Sequence, residues 1–488
     1  MPAPKDNQIL RYHRARERCY DLTGLRTGSV RDQLLRAITL TRSLMTITKE
    51  IRSGRKPRDL LVLGGGVSGV ACALIAARKG IKVTLLELEP ANFFSTIQRS
   101  SRRIAPFEYD WPRSSDPNSL FTSRKPRFLL NYRSGRAKIV CAVWQKRLMN
   151  WRATDPHRGD LELLNGVDAR TFVYDLADAV SRTVTVRGNW SNGMTARKFG
   201  AVIDCTGHVE ERTFVEDPTD DGRPPTAAFC GPRFWKDEDF LDDRTQFFAQ
   251  PGAGPVKTIL ISGGGDGAMQ DIQRAVTGRF GDPLFRRFLA HLGLGSLREH
   301  FYELAEADDA ARRAYAWKLH RGEVEEMKTC DETFRKVART ILDDYAKQAP
   351  NQLWASQLAR KIFKPAMLGK GSPTVVWAVR ESHCGYAYPL NRLLSHLVAF
   401  LLEELTQTKV LHFDKRIDTI DSASSTHQCG NPLWDCYGHP HEVTFKGETA
   451  SRKFDLVIVR HGVIFPESAI FGTRAPIPEQ LVPYELPR

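Results

Sequence analysis

The sequence predicts an α/β chain built of two three-layer modules, each a largely parallel sheet between helices. Three observations predict it. DLLVLGGGVSGVACALIAARKGIKVTLLELEP, residues 59–90, reads as strand, glycine turn, helix and strand. VKTILISGGGDGAMQDIQRAV, residues 256–276, reads as strand, turn and helix again. ARKFGAVIDCTG at 196–207 and SRKFDLVIVRHG at 451–462 align without a gap, each downstream of its own glycine turn. Strands that alternate with helical patterns fold as parallel sheets with helical crossovers.

The elements follow in order. Residues 1–57 read as a helical cap, because RDQLLRAITLTRSLMTITKEIRSG carries apolar residues at helical spacing and ends on Gly54. LLVL is a buried strand, ACALIAARKG a small-residue helix closed by Gly80, and IKVTLL a second strand. Residues 91–150 read as irregular and basic. TVTVRG (183–188) and MTARKF (194–199) flank the turn NWSNG and predict a hairpin in a β-meander. A long charged and aromatic stretch, about 283–365, reads as a helical insertion in the second module. SPTVVWAVRES (372–382) is a buried strand, and PLNRLLSHLVAFLLEEL (389–405) a helix. Strands around VLHF and EVTFKG lead to FDLVIVRHGV. The domains are therefore a cap over 1–57, a first module over 58–250 and a second over 251–488.

The first glycine turn has a mechanical reason for each part. Gly64 permits the tight turn, and Gly66 lets a pyrophosphate approach the backbone at the positive end of the helix. Gly69 lets that helix pack against the strand, and Glu87, at the tip of the next strand, accepts hydrogen bonds from ribose hydroxyls. This is the Rossmann-like fingerprint of an adenine dinucleotide site, with strand, helix and acid all in place. In the second turn Gly263, Gly265 and Ala268 give G-x-G-x-x-A. No acid or arginine arrives on schedule after it. If 372–382 is the delayed second strand, Arg380 or Glu381 stands at its end, and Arg380 is placed to pair with an NADPH 2′-phosphate. Asp266, at the start of the second helix, reads as a cap.

Composition narrows the class. The chain has 488 residues, 41% of them apolar, and holds no apolar run long enough for a membrane helix. Its N-terminal stretch lacks an apolar signal core, and the nine cysteines contain no C-x-x-C, so a cytoplasmic protein with reduced thiols is expected. The net charge of +14 is uneven: residues 1–58 hold 14 Lys/Arg against 5 Asp/Glu, and residues 98–158 hold 14 against 4. Such segments attract anions. No aromatic-basic module of the RNA-binding types stands out, which leaves nucleic acid as a lesser alternative. His427, Cys429, Cys436, His439 and His441 cluster, but their spacing matches no standard zinc finger and no metal is expected.

On these motifs the chain resembles the two-dinucleotide-binding-domain flavoproteins, a group that includes flavin-dependent monooxygenases and thioredoxin-reductase-like oxidoreductases. The resemblance covers roughly residues 59–90, 183–208, 256–277 and 451–463. It implies FAD on the first turn, with Gly64, Gly66, Gly69 and Glu87 as ligands. It implies NAD(P)H, NADPH in preference, on Gly263, Gly265 and Ala268, and a crossover between domains at Thr206 and Gly207. FCGPRFWKDEDF (229–240) stands where flavin monooxygenases carry F-x-G-x-x-x-H, but Trp235 replaces the histidine and that fingerprint is broken.

The function these readings imply is an FAD-dependent oxidoreductase, foremost an NAD(P)H-dependent monooxygenase acting on a small anionic or amine-bearing substrate. The alternatives are an oxidase or dehydrogenase with a vestigial second site, or a nucleotide-sensing protein that uses its basic segments. Flavin chemistry asks little of side chains beyond positioning, so no catalytic residue is named. Arg99, Arg102 and Arg103 are candidates to hold an anionic substrate, with Tyr109 and Trp111 as an aromatic wall. His208, directly after Thr206-Gly207, reads either as a residue that approaches cofactor or substrate or as a packed or capping histidine, and Arg460 and His461 hold the equivalent place in the second module with the same two readings.

Overall fold

A computed structural model describes residues 6–23, 29–46, 59–98, 100, 102–113, 129–175, 182–190, 193–207, 210–211, 213–216, 227–235, 256–293, 295–317, 325–348, 353–422, 440–464 and 470–471. The chain divides into two compact units. The first comprises residues 1–99, 124–210 and 464–488, and the second residues 100–123 and 211–463. The second unit thus takes up the chain from residue 211. Segment 100–123 belongs with the second unit because Arg102, Phe107 and Trp111 are buried within it.

The first unit is organised by a six-stranded sheet. Its strands are β1 (Arg14–Arg16), β2 (Cys19–Asp21), β3 (Asp59–Leu63), β4 (Lys82–Glu87), β5 (Leu161–Asn165) and β9 (Ala201–Asp204), in the spatial order β1-β2-β9-β3-β4-β5. From β2 to β5 every pairing is parallel. Leu60 to Leu63 are all fully buried, as strands covered on both faces require. Each such side chain contributes roughly 1.5–3 kcal/mol. A three-stranded antiparallel meander carries β6 (Val173–Tyr174), β7 (Val184–Arg187) and β8 (Ala196–Phe199), with Ala196 opposite Arg187 in the expected hairpin.

Two expectations change here. The N-terminal segment does form helices, α1 (Asp6–His13) and α2 (Val30–Met45), but it is more than a cap. Between them β2 adds a parallel strand to the main sheet, with Cys19 opposite Val202 and Asp21 opposite Asp204. Second, the basic stretch 91–150 is not irregular throughout. It ends in a helix, α4 (Ala137–Thr154), whose buried residues Ala137, Val140, Cys141, Trp144, Leu148 and Trp151 recur every three or four positions. The helix of the first glycine motif is α3 (Val67–Ala77).

The second unit repeats the plan. Strands β10 (Thr258–Ser262), β11 (Thr374–Ala378), β12 (Leu411–His412) and β16 (Leu456–Val459) form a parallel sheet in the order β12-β11-β10-β16. Strands β13 (Ile417–Ser422), β14 (His441–Phe445) and β15 (Arg452–Phe454) make its antiparallel meander. Helix α5 (Asp266–Thr277) follows the glycine turn and α10 (Pro389–Thr406) packs on it. The expected helical insertion is α6 (Asp282–Leu292), α7 (Phe301–Trp317), α8 (Glu325–Gln348) and α9 (Trp354–Ile362). The internal repeat is structural: β9 lies parallel beside β3, and β16 lies parallel beside β10. Among the described residues no helix is long and apolar enough to cross a membrane.

Candidate functional site

In an open parallel sheet, ligands bind beyond the carboxyl ends of the strands. The carboxyl edge of the first sheet carries β3's glycine turn, with the ends of β4 and β9 on either side. Gly64 adopts a φ of +90°, and its N–H donates to Leu86 O at 2.8 Å. A Cβ on Gly64 would stand 2.7 Å from Cys205 O, and one on Gly69 only 1.8 Å from Gly64 O. Both positions therefore demand glycine for packing. Gly66 differs: a Cβ there would meet nothing within 4 Å. It is also the N-cap of α3 and makes no side-chain cap. The space off the Gly66 Cα is thus open at the start of the helix, as a phosphate at a helix N-terminus requires.

Glu87 is buried at the end of β4. Its Oε2 accepts from Gly65 N–H at 2.5 Å and its Oε1 from Glu89 N–H at 2.8 Å. Burial raises its carboxyl above the usual range, and these two backbone donors oppose the rise. The acid is thereby tethered to the turn at the place the fingerprint reserves for it. On the other side, Asp204 Oδ1 accepts from Thr206 N–H at 2.9 Å and from Thr206 Oγ1 at 2.7 Å, and Gly207 follows at a φ of +79°. The open cradle at Gly66, the uncapped helix and the tethered acid fit an adenine dinucleotide.

Sequence reasoning missed a second such turn. In sequence, Asp21-Leu22-Thr23-Gly24 repeats the D-x-T-G of 204–207, and β2 sets Asp21 in register beside Asp204 of β9. Asp21 Oδ1 accepts from Thr23 N–H and Thr23 Oγ1, both at 2.5 Å. The duplicated tetrapeptide was the available signal.

The second turn is built alike. Gly263 N–H donates to Ala378 O at 2.9 Å, Arg460 N–H donates to Ser262 O at 2.8 Å, and a Cβ on Gly263 would lie 2.2 Å from Arg460 O. Ala268 is buried beneath it. The surroundings differ. The carbonyl oxygen of Tyr386 lies 3.6 Å from where a Cβ of Gly265 would stand. Asp266 Oδ1 accepts from Tyr388 N–H at 3.2 Å and from Asn391 Nδ2 at 2.8 Å, while its Oδ2 accepts from Gln270 at 3.1 Å. Burial raises the Asp266 carboxyl, against those donors. The delayed strand is β11, as expected. The Arg380 side chain beyond it is exposed and pairs with Glu381, Nε to Oε1 at 2.8 Å.

The substrate candidates are not gathered on an open basic loop. Arg102 is fully buried in the second unit: it donates to Asp271 at 2.7 Å and to Phe234 O at 2.8 Å, and it lies 3.6 Å over the Phe234 ring. Trp111 is fully buried between Phe285 and Phe301, and Tyr109 packs on Tyr388 with ring centroids 4.1 Å apart. Arg103 stands 3.6 Å from Asp282. The physical reason is the charge of Asp271 and the aromatic pocket, long-range partners that a linear reading does not see. Arg99 and His208 lie outside the described residues. His461 is bonded to Ser262, Nε2 to Oγ at 2.9 Å. Of the His/Cys cluster near 427–441 only His441 is described; it is buried against Phe229.

Asp271 is the centre of a buried ionic knot. Arg102, Arg460 and Arg274 approach its carboxylate at 2.7, 2.8 and 3.5 Å. Burial pushes its pKa up, but the three guanidinium charges outweigh that and hold it at about 2. A second knot joins Asp331 to Arg392 at 2.6 Å and to His396 at 2.9 Å. Asp331, Cys384 and His396 bring ligand-type atoms within 4.8 Å of one another, but the guanidinium already neutralises the carboxylate.

Residues 59–152 match the family described as FAD dependent oxidoreductase. No curated protein matches the chain. Among solved structures, the chain is similar to thioredoxin reductase from Lactococcus lactis, at 12% identity over 83% of this chain and 78% of that one, with a TM-score of 0.34. It is also similar to the bacillithiol disulfide reductase Bdr from Staphylococcus aureus, at 11% identity over 83% and 76%, TM-score 0.35. A third is LpdA from Mycobacterium tuberculosis, at 10% over 88% and 62%, TM-score 0.34. Each unit thus holds a glycine-turn module, and the one in the first unit lies within the stretch that matches the FAD-dependent oxidoreductase family.

Proposed function

We propose that this FAD-dependent oxidoreductase holds its flavin nucleotide on the first glycine turn and transforms a small-molecule substrate. The observation that supports the assignment is the open position at Gly66 beside the tethered Glu87. The N–H groups at the start of α3 receive the pyrophosphate, and Glu87 orients the adenosine ribose. When bound, FAD supplies a carrier of two electrons; the chain supplies placement and a shaped environment. Purified protein with a flavin spectrum that Gly66→Val erases is the test. A colourless Gly66→Val beside an equally colourless wild type that takes up no added FAD sinks the reading.

Two finer readings compete. The monooxygenase reading requires reduced nicotinamide on the second turn. The oxidase or dehydrogenase reading draws electrons from the substrate alone, and the Tyr386 carbonyl beside Gly265 favours it. A thiol–disulfide route finds little support among the described cysteines with shifted thiols. Burial pushes Cys141 up to about 12 and Cys330 to about 11, and lifts Cys19, Cys205 and Cys384 as well. Such thiols are poor nucleophiles. Anaerobic mixing separates the readings: bleaching by NADPH or NADH alone supports the first, and bleaching by an oxidisable substrate alone supports the second.

A further inference from the structure

We propose that the second glycine turn is closed by the chain's own loop, residues 383–388, and that the second module is a scaffold that binds no nicotinamide nucleotide. The two turns share their backbone bonds, so what differs around them is informative. The glycine that a pyrophosphate must approach is Gly66 in the first turn and Gly265 in the second. A Cβ on Gly66 would meet nothing within 4 Å, whereas one on Gly265 would lie 3.6 Å from the Tyr386 carbonyl oxygen. A carbonyl oxygen so placed narrows the space beside the turn, and its partial negative charge disfavours a phosphate there. The next residues extend the contrast. Where the first helix begins with Val67 and Ser68, the second begins with Asp266 and Gly267. A Cβ on Gly267 would lie 3.3 Å from the Phe234 ring, which itself lies under the buried Arg102 guanidinium.

The loop is pinned along its length. Cys384 N–H donates to Asp331 Oδ2 at 3.1 Å, and Arg392 donates to Cys384 O at 3.4 Å and to Gly385 O at 2.5 Å. Tyr388 N–H donates to Asp266. Tyr388 also packs against Tyr109 and Tyr386. Asp331 belongs to α8, in the helical insertion, and is itself locked by Arg392 and His396 in full burial. Clearing the turn would strip hydrogen bonds from buried charged groups, whose loss is costly. The insertion thus has a role in this account: through Asp331 it holds the loop over the turn. Arg380 agrees with it, being exposed and paired with Glu381 rather than directed at the turn's edge by a bond.

The inference goes beyond the placement of FAD on the first turn and stands or falls separately from it. Isothermal titration of NADPH and of NADH into the FAD-loaded full chain tests it, with Gly265→Ala as the companion. Gly265 has a φ of −95°, and its nearest neighbour allows a methyl group, so the variant keeps the fold; its thermal melt confirms that. No saturable heat up to millimolar nucleotide is the expected result. Saturable binding that Gly265→Ala leaves unchanged places the nucleotide elsewhere and upholds the closed turn. Saturable binding that Gly265→Ala weakens tenfold or more overturns the proposal. The flavin spectrum of the same samples reports separately on the first turn.

Discussion

Asp21 and Asp204 end neighbouring parallel strands in register, and each carboxylate bends back onto the threonine two residues further on. The N-terminal strand therefore doubles a polar turn at the carboxyl edge of the first sheet, beside Gly64. Burial first, and then the charge of Asp21, pushes Asp204 up to about 6.

That shift predicts a pH-dependent stability. An unfolded aspartate titrates near 3.9, so the folded state binds the extra proton between about pH 4 and 6. The stabilisation from protonated Asp204 is present at the acid side and is lost as pH rises through about 6. Asp204→Asn keeps the Oδ1 acceptor for Thr206 and removes that loss. Its stability advantage over wild type should grow from pH 4 to pH 7 by up to about 3 kcal/mol, read from urea unfolding. An advantage equal at both pH values contradicts the placement of the proton.

Two glycines three residues apart should respond in opposite ways. Gly66→Ala meets open space at an ordinary φ of −69°, so it should melt like wild type yet bind FAD about tenfold or more weakly. Gly69→Ala drives a methyl group into Gly64 O and should lose the folded unit itself. Circular dichroism melts and flavin fluorescence titrations together check the pair.

Glu87→Gln retains an acceptor for Gly65 N–H but loses the charge. A charged hydrogen bond contributes about 1.5–3 kcal/mol, so FAD affinity should fall by about 10- to 100-fold with little change in melting. An unaltered dissociation constant would show that Glu87 serves the turn alone.

Asp271→Asn leaves Arg102, Arg274 and Arg460 buried around a neutral amide. It should cost about 3–5 kcal/mol, measured by urea unfolding, and Arg102→Met in the same chain should recover part of that cost. Strictly additive losses would contradict the coupling between the two residues.

These outcomes also mark what was legible in the sequence. The motif from Gly64 to Glu87 was, because its parts are local and each has a stereochemical requirement. The gapless repeat was, because β9 and β16 hold equivalent places in their sheets. Helix α4 is legible in principle, through apolar residues from Ala137 to Trp151 at helical spacing, but the basic residues between them mask that pattern. Arg102 was not legible: a basic residue in a basic stretch gives no sign that Asp271, in a distant helix, will enclose it. Nor was the occupant of the second turn, since nothing in G-G-G-D-G says that Tyr386 returns to cover it.

The most direct test of the central claim is the adenine dinucleotide content of the purified, FAD-saturated chain after denaturation. The account predicts one FAD per chain, lost in Gly66→Val. A wild-type chain that retains no FAD, or one whose FAD survives Gly66→Val undiminished, contradicts it.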